Sequence, residues 1–304
     1  MADDNSKIDP LKAILEEGAK LPSLPQVVIK LDQELGKDEV DLAHVGKLIS
    51  MDPVLSGQIL RLANSSWYSR GGAPIQDFAR ALIRLGIPTT RQLVHALVMP
   101  SLFPKKGGAI DMAAFWRHSF AVALFAQAIG RRMKLNREQM ELLWTAGLLH
   151  DIGALLFDQV AGETYRRLMR ICQQTPSDDG MEAQPIKLRE LEREWMGVDH
   201  ANMGATFLQK RWQLPDKLVW CVRFHEELDW AMEEPEAIPS ILPLHLAVVL
   251  CEQNGVSWVG QRAHHQGEIE SVWRKIGFPE GMGEELAQDV AKSLEQAEQM
   301  LHSK

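Results

Sequence analysis

His150 and Asp151 stand side by side in Trp144-Thr-Ala-Gly-Leu-Leu-His-Asp-Ile-Gly-Ala-Leu-Leu-Phe157, a stretch that is otherwise almost wholly apolar. An unpaired charge in apolar surroundings is costly, so an ionised carboxylate there needs a partner. A metal ion, an arginine or a set of backbone N–H groups would serve. Three more histidines, His118, His200 and His225, fall in helical segments beside apolar residues. Taken singly, a buried neutral histidine donates one ring proton to a backbone carbonyl and does nothing further. Joined to Asp151, the set offers imidazole nitrogen and carboxylate oxygen, the ligand types of zinc, iron, manganese or nickel. A His-Asp pair at a helix end presents two ligands to one ion and leaves the carboxylate able to bridge a second. These residues come from separate segments, so spacing alone does not bring them together; the fold has to.

Other candidates carry less chemistry. His264 and His265 lie in the polar run Gln-Arg-Ala-His-His-Gln-Gly and are expected to be solvated. His44 and His95 belong to helices of the first half and are expected to be structural. Trp67 and Tyr68 are expected to anchor a loop, because aromatic side chains bury large areas. The chain has no G-x-S-x-G, no G-x-G-x-x-G and no phosphate-binding P-loop.

The elements that must position the histidines are helices. Hydrophobic residues recur at helical spacing from end to end, and the alternation expected of strands is nearly absent. The first half reads as short helices with brief connections: Pro10 to Gly18, Pro25 to Leu35 with Ser23 as its cap, a helix capped by Asp41, Val54 to Asn64, Ile75 to Gly86, and Pro88 to Leu102. A loop is expected from Ser65 to Pro74. Pro104-Lys-Lys-Gly-Gly108 replaces the apolar pattern with glycine and charge and marks a boundary. Longer helices follow: Asp111 to Met133, Arg137 to about Phe157 with Asn136 as cap, Lys187 to Trp195, His200 to Trp212, Pro215 to Phe224 and Leu242 to Asn254. Gly281 to Leu301 is amphipathic and rich in Glu and Gln, a surface helix or a partner contact. The expected fold is all-α and two-lobed, a small N-terminal helix bundle (1–104) packed on a helical core (109–256), with a C-terminal loop and helix (257–304).

The bulk properties narrow the function classes. The 304 residues are 45% hydrophobic and 24% charged, enough for a sizeable core. A formal net charge of −8 argues against a general binder of DNA or anionic membranes. The three cysteines are far apart and odd in number, which fits reduced thiols rather than a disulfide framework. The polar N-terminus shows no signal peptide, and no apolar run reaches the ~18–20 residues of a membrane span. A cytoplasmic location is expected.

Several segments together resemble the bacterial HDOD domain. They are Leu21-Pro-Ser-Leu-Pro-Gln-Val-Val28, Ile49-Ser-Met-Asp-Pro-Val-Leu55, Leu60-Arg-Leu-Ala-Asn-Ser-Ser-Trp-Tyr68, Ala81-Leu-Ile-Arg-Leu-Gly86, Phe115-Trp-Arg-His118, Gly147-Leu-Leu-His-Asp-Ile-Gly153, Asp199-His-Ala-Asn-Met-Gly204, Trp212-Gln-Leu-Pro215 and Phe224-His225. The resemblance implies an HD-type helical core related to metal-dependent phosphohydrolases and to the HD-GYP cyclic di-GMP phosphodiesterases, in which metal-bound water attacks phosphorus. It also implies a regulatory role in bacterial signalling, without turnover. By the same resemblance the metal ligands are His118, His150, Asp151, His200 and His225. Where the phosphodiesterases carry two adjacent histidines, this chain has Phe224-His225. Where they carry a final aspartate, it has Val248, and their Gly-Tyr-Pro signature is replaced by Glu226-Glu-Leu-Asp-Trp230.

Two ion groupings survive those losses, one of His118, His150 and Asp151 and one of Asp151, His200 and His225. Three functions follow as expectations. The first is a signalling module that binds a partner protein or a nucleotide without turnover. The second is a metal-dependent phosphohydrolase acting on a nucleotide or cyclic dinucleotide. In the third, the histidines bond one another and nothing binds. The missing acid and histidine favour the first. A divalent metal (Fe, Mn, Zn or Ni) is the expected cofactor.

Overall fold

A computed structural model describes residues 10–15, 21–37, 39–69, 72–103, 108–173, 188–227, 236–259, 272–273, 278–279 and 281–302. Among these residues the regular structure is helical throughout, as the all-α expectation requires. The chain divides into two compact units, Pro22–Pro104 with Gln296–Lys304, and Met1–Leu21 with Lys105–Glu295. Helix α1 (Pro10–Leu15) goes with the larger unit, where it packs on helices Ile152–Val160 and His200–Lys210. Helical periodicity alone groups it with the N-terminal lobe.

The smaller unit contains α2 (Gln26–Leu35), α3 (Leu42–Ser50), α4 (Pro53–Ala63), α5 (Ser66–Ser69), α6 (Phe78–Leu85), α7 (Ile87–Val98) and a 3-10 turn, Met99–Leu102. Its core is the apolar face of each: Val28, Leu31 and Leu35, then Val45 and Ile49, then Ile59 and Leu62. Asp41 caps α3 as expected, accepting from the backbone N–H groups of Ala43 and His44 at 2.9 and 3.0 Å. Ser23 does not cap α2; Pro25 holds that position in extended backbone, and no side-chain cap forms.

The expected loop after α4 contains the short helix α5 and is pinned from both sides. The Asn64 amide donates to the Ile75 carbonyl and accepts from its N–H, each at 2.7 Å. Arg84 donates to the carbonyls of Ala63 and Ala73 at 3.0 and 3.1 Å. Tyr68 is half-buried, while the side chain of Trp67 and the His264–His265 run lie outside the described residues. Buried His95 places Nε2 2.8 and 2.9 Å from the two carboxylate oxygens of Asp32, which ties α7 to α2. His44 is half-exposed, with Nε2 3.9 Å from Glu34.

The larger unit carries α8 (Met112–Arg132), α9 (Arg137–Leu149), α10 (Ile152–Val160), α11 (Gly162–Gln173), α12 (Leu188–Met196), α13 (His200–Lys210), α14 (Asp216–Phe224), α15 (Ile238–Gln253) and, up to Glu295, α16 (Met282–His302). Asp111 caps α8, and Asn136 with Gln139 forms a reciprocal capping box on α9. Helix α15 is apolar on all sides, the pattern of a helix surrounded by others, and packs on α8 and α9. It begins at Ile238, four residues before the sequence-expected start, and runs through Pro243. Helix α11 was not expected; Tyr165, Leu168 and Met169 form its buried stripe. Met282, Leu286, Val290 and Leu294 of α16 are buried too, and Arg132 pairs with Glu285 at 2.6 Å. Those four residues are the apolar face of the amphipathic pattern, turned inward as on a surface helix.

The run expected as one helix from Arg137 to Phe157 is broken at His150–Asp151, where Asp151 leaves helical geometry (φ −98°, ψ 9°). The stretch Arg137–Val160 is 24 residues and its most apolar 18-residue window has mean hydropathy 1.3, long and apolar enough to cross a membrane. Here it is core: 78% of its most apolar window lies inside the fold. Two glycines let its halves approach their neighbours. A Cβ on Gly147 would sit 2.5 Å from the Cα of Ala123, so α9 lies against α8. A Cβ on Gly153 would run into the backbone carbonyl of His200, so α10 lies against α13. These contacts bring His150 towards His118 and Asp151 towards His200.

Gly153→Ala is therefore expected to destabilise the chain by about 2–3 kcal/mol, since backbone cannot yield as a side chain does. Gly57→Ala, in α4 with open space around its Cα, is expected to stabilise by about 0.5–1 kcal/mol through helix propensity alone. Urea denaturation midpoints of the two variants check both signs.

Candidate metal centre

The four histidines reach the site from helix interiors and ends. His118 is on α8, His150 follows the last residue of α9, His200 opens α13, and His225 follows α14. All five candidate residues from the sequence converge. His150, His200 and His225 are 0% exposed, Asp151 1% and His118 2%. The carboxylate of Asp151 is the hub. Its Oδ2 lies 3.1 Å from His150 Nε2 and 3.7 Å from His118 Nε2. Its Oδ1 lies 3.2 Å from His200 Nε2 and 3.6 Å from His225 Nε2.

Each imidazole is held through its other nitrogen. Nδ1 of His118, His150 and His225 lies 2.7, 2.8 and 2.8 Å from the backbone carbonyls of Val256, Gly147 and Val222. A carbonyl oxygen only accepts, so in each ring Nδ1 carries the proton and donates it. His200 Nδ1 lies 2.6 Å from a carboxylate oxygen of Glu192, which also accepts from the His200 N–H and, through its other oxygen, from the Tyr165 hydroxyl. This is the outer-shell support that fixes tautomer and ring orientation in metal sites. It leaves the Nε2 lone pairs aimed at a carboxylate. Nε2 of His150, His200 and His225 and Oδ1 of Asp151 have no hydrogen-bond partner.

Lone pairs and carboxylate oxygens facing each other in a dry interior repel unless positive charge lies between them. The protonation equilibria express that demand. Burial would raise the Asp151 carboxyl, but His150 and His200 overcome it and hold it well below the ordinary carboxylate range. Burial would lower His200, but Glu192 and Asp151 raise it well above the usual imidazole value. Burial and the neighbouring His150 push His225 down to about 3 against the pull of Glu226 and Asp151, so it stays neutral. A proton on His200 satisfies one of the orphaned atoms and leaves the others. A divalent ion among borderline nitrogen and oxygen donors suits the whole set, and the residues fit one.

The two sides of Asp151 are not equivalent. The indole N–H of Trp258 donates to Oδ2 at 2.6 Å, and the indole is buried against Phe115. An indole donates and cannot ligate, so an ion beside His118 and His150 competes with it for that oxygen. Oδ1 instead faces Nε2 of His200 and His225, two imidazoles that can ligate once unprotonated, and no indole stands on that side among the described residues. Asp151, His200 and His225 are a two-histidine, one-carboxylate set, a pattern that leaves coordination positions open.

A family model for the HDOD domain matches residues 21–228. The chain belongs to the HDOD family. Among solved structures, an HDOD domain protein of unknown function from Geobacter sulfurreducens matches with a TM-score of 0.76 at 21% identity, covering 97% of this chain and 99% of that one. A candidate phosphohydrolase from Shewanella amazonensis SB2B matches with a TM-score of 0.67 at 27% identity, covering 95% and 96%. An uncharacterised protein of Treponema pallidum (strain Nichols) is 24% identical over 216 residues, 70% of this chain. The HDOD chain spans 39% of that relative's length.

Beyond the five ligand candidates, the HDOD centre uses residues that sequence reasoning passed over. Glu192 sits in Leu-Arg-Glu-Leu-Glu-Arg-Glu-Trp-Met, which looks like a solvated charged helix. Its spacing from Leu188 and Met196, four residues each way, puts it on the buried face, and it is 0% exposed. Trp258 and the Val256 carbonyl arrive from the turn after α15 with no periodicity to announce them. Val248, at the position of the missing aspartate, is buried, and Phe224 packs against Ala237 and Ile241 rather than serving as a ligand.

Metal uptake must displace the proton that His200 holds above the ordinary imidazole range. Loading at pH 7 is thus expected to release about one proton from His200 and to weaken as pH falls. Calorimetric zinc titrations in buffers of different ionisation enthalpy count that proton; uptake without release contradicts the assignment.

Proposed function

We propose that this HDOD domain is a non-hydrolytic signalling module whose buried centre holds a single divalent ion at Oδ1 of Asp151, and which acts by binding a partner protein or a nucleotide. The observation that carries this reading is the asymmetry of Asp151. Two-metal phosphoester hydrolysis places two ions about 3.5–4 Å apart on a shared ligand. Here the Oδ2 side holds the Trp258 proton, and position 248 offers a methyl-bearing side chain where an acid would complete the set. Burial argues the same way, because a phosphoester has to touch the ion and the ligating residues are 2% exposed or less. When bound, the ion supplies fixed positive charge. His200 and His225 orient towards it, Glu192 holds the His200 ring, and the helix break at His150–Asp151 is clamped to α13 and α14.

The likeness to the candidate phosphohydrolase of Shewanella amazonensis supports a second reading, a metal-dependent phosphohydrolase. The two separate in one set of measurements on the purified full chain. Elemental analysis is expected to find an ion, and chelator to lower the melting temperature. Saturation at a hundredfold excess over Kd is worth about 2.7 kcal/mol. Cyclic di-GMP and a generic phosphoester are expected to remain intact with Mn(II) or Fe(II) added. Turnover that disappears in Asp151→Ala overturns the non-hydrolytic reading and establishes the second.

A further inference from the structure

Glu226 directly follows His225, and its carboxylate faces the same two imidazoles as Asp151. Its Oε1 lies 3.9 Å from Nε2 of His200 and 3.9 Å from Nε2 of His225. Its Oε2 pairs with Nε of Arg189 at 3.2 Å. The guanidinium is itself fixed, with Nη2 3.0 Å from Asp199 and 2.7 Å from Glu227. Both histidines are 0% exposed with Nε2 unpartnered, whereas the Glu226 side chain is 17% exposed. Glu226 thus stands on the solvent side of orphaned donors, with one oxygen anchored and the other turned towards them.

We propose that Glu226 is the fourth protein ligand of the ion held by Asp151, His200 and His225, supplying the carboxylate that position 248 lacks, and that Arg189 positions it. The proposal rests on the ion-holding reading above. Nitrogen and oxygen ligands at about 2.0–2.2 Å from a tetrahedral ion lie about 3.3–3.6 Å from one another. Four of the six separations in this set are 3.2, 3.6, 3.9 and 3.9 Å, each within a few tenths of an ångström of that range. Charge agrees. Asp151 alone leaves a divalent ion with net positive charge in a dry core, and a second carboxylate neutralises it. Two imidazoles with two carboxylates suit manganese, ferrous iron or zinc rather than softer copper(I).

Equilibrium dialysis of the full chain against Mn(II) and Zn(II), with elemental analysis, tests this directly. Glu226→Gln keeps the shape and removes the charge; it is expected to weaken binding at least about 10-fold. Glu227→Gln removes another partner of the same arginine and is expected to leave affinity within about twofold. Melting curves without metal establish that each variant folds. Should Glu226→Gln not melt cooperatively, Glu226→Asp decides, because its shortened carboxylate must still weaken binding. Wild-type affinity in the deciding variant overturns the assignment, as does a loss in Glu227→Gln equal to that in Glu226→Gln, which would place the effect in the arginine network. A wild-type chain that takes up neither ion overturns the ion-holding reading and this assignment together, whereas normal wild-type uptake with no Glu226 effect overturns the assignment alone.

Discussion

A carboxylate with 1% exposure sits among four imidazole nitrogens, and the Nδ1 protons of those rings are already committed elsewhere. Electrostatics in a dry interior allows that arrangement only with positive charge inside it. Much of the larger unit is explained by this constraint. Gly147 and Gly153 give up side chains so that α9 and α10 can bring His150 and Asp151 close to α8 and α13. Glu192, a buried carboxylate, is stabilised by His200 and the Tyr165 hydroxyl.

The asymmetry around Asp151 separates the inheritance of a site from the inheritance of its chemistry. His118, His150, Asp151, His200 and His225 still face one another, while Oδ2 of Asp151 carries the Trp258 proton and position 248 is valine. An ion in such a place acts on the fold more than on a substrate. It draws together α10, α13 and α14 at their ends, where three helix termini meet. Signalling proteins make use of that kind of coupling, because occupancy of one small site biases the arrangement of several elements at once.

Much of this was legible in the sequence, and the parts that were not share a cause. His118, His150, Asp151, His200 and His225 could be picked out because polar residues on apolar helical stripes are rare and local. Asp41 and Asn136 as caps follow from chemistry within a single turn. Trp258 and the carbonyl of Val256 could not be picked out, because they reach Asp151 and His118 from more than a hundred residues away through a turn with no pattern. The helix break was hidden for the opposite reason: each residue of Leu148 to Gly153 is compatible with a helix, so nothing local announces it. Ser23 shows the limit of propensity, since Pro25 already fixes the backbone that a cap would have fixed.

The burial of the ligands also sets a clock. With three imidazoles at 0% exposure and Trp258 closing the far side, an ion can leave only as fast as side chains around it move apart. Residence is then a kinetic property of the folded chain rather than a reading of ambient concentration. A centre of this kind keeps a record of the metal present when it closed, and changes that record on the timescale of local opening rather than of diffusion.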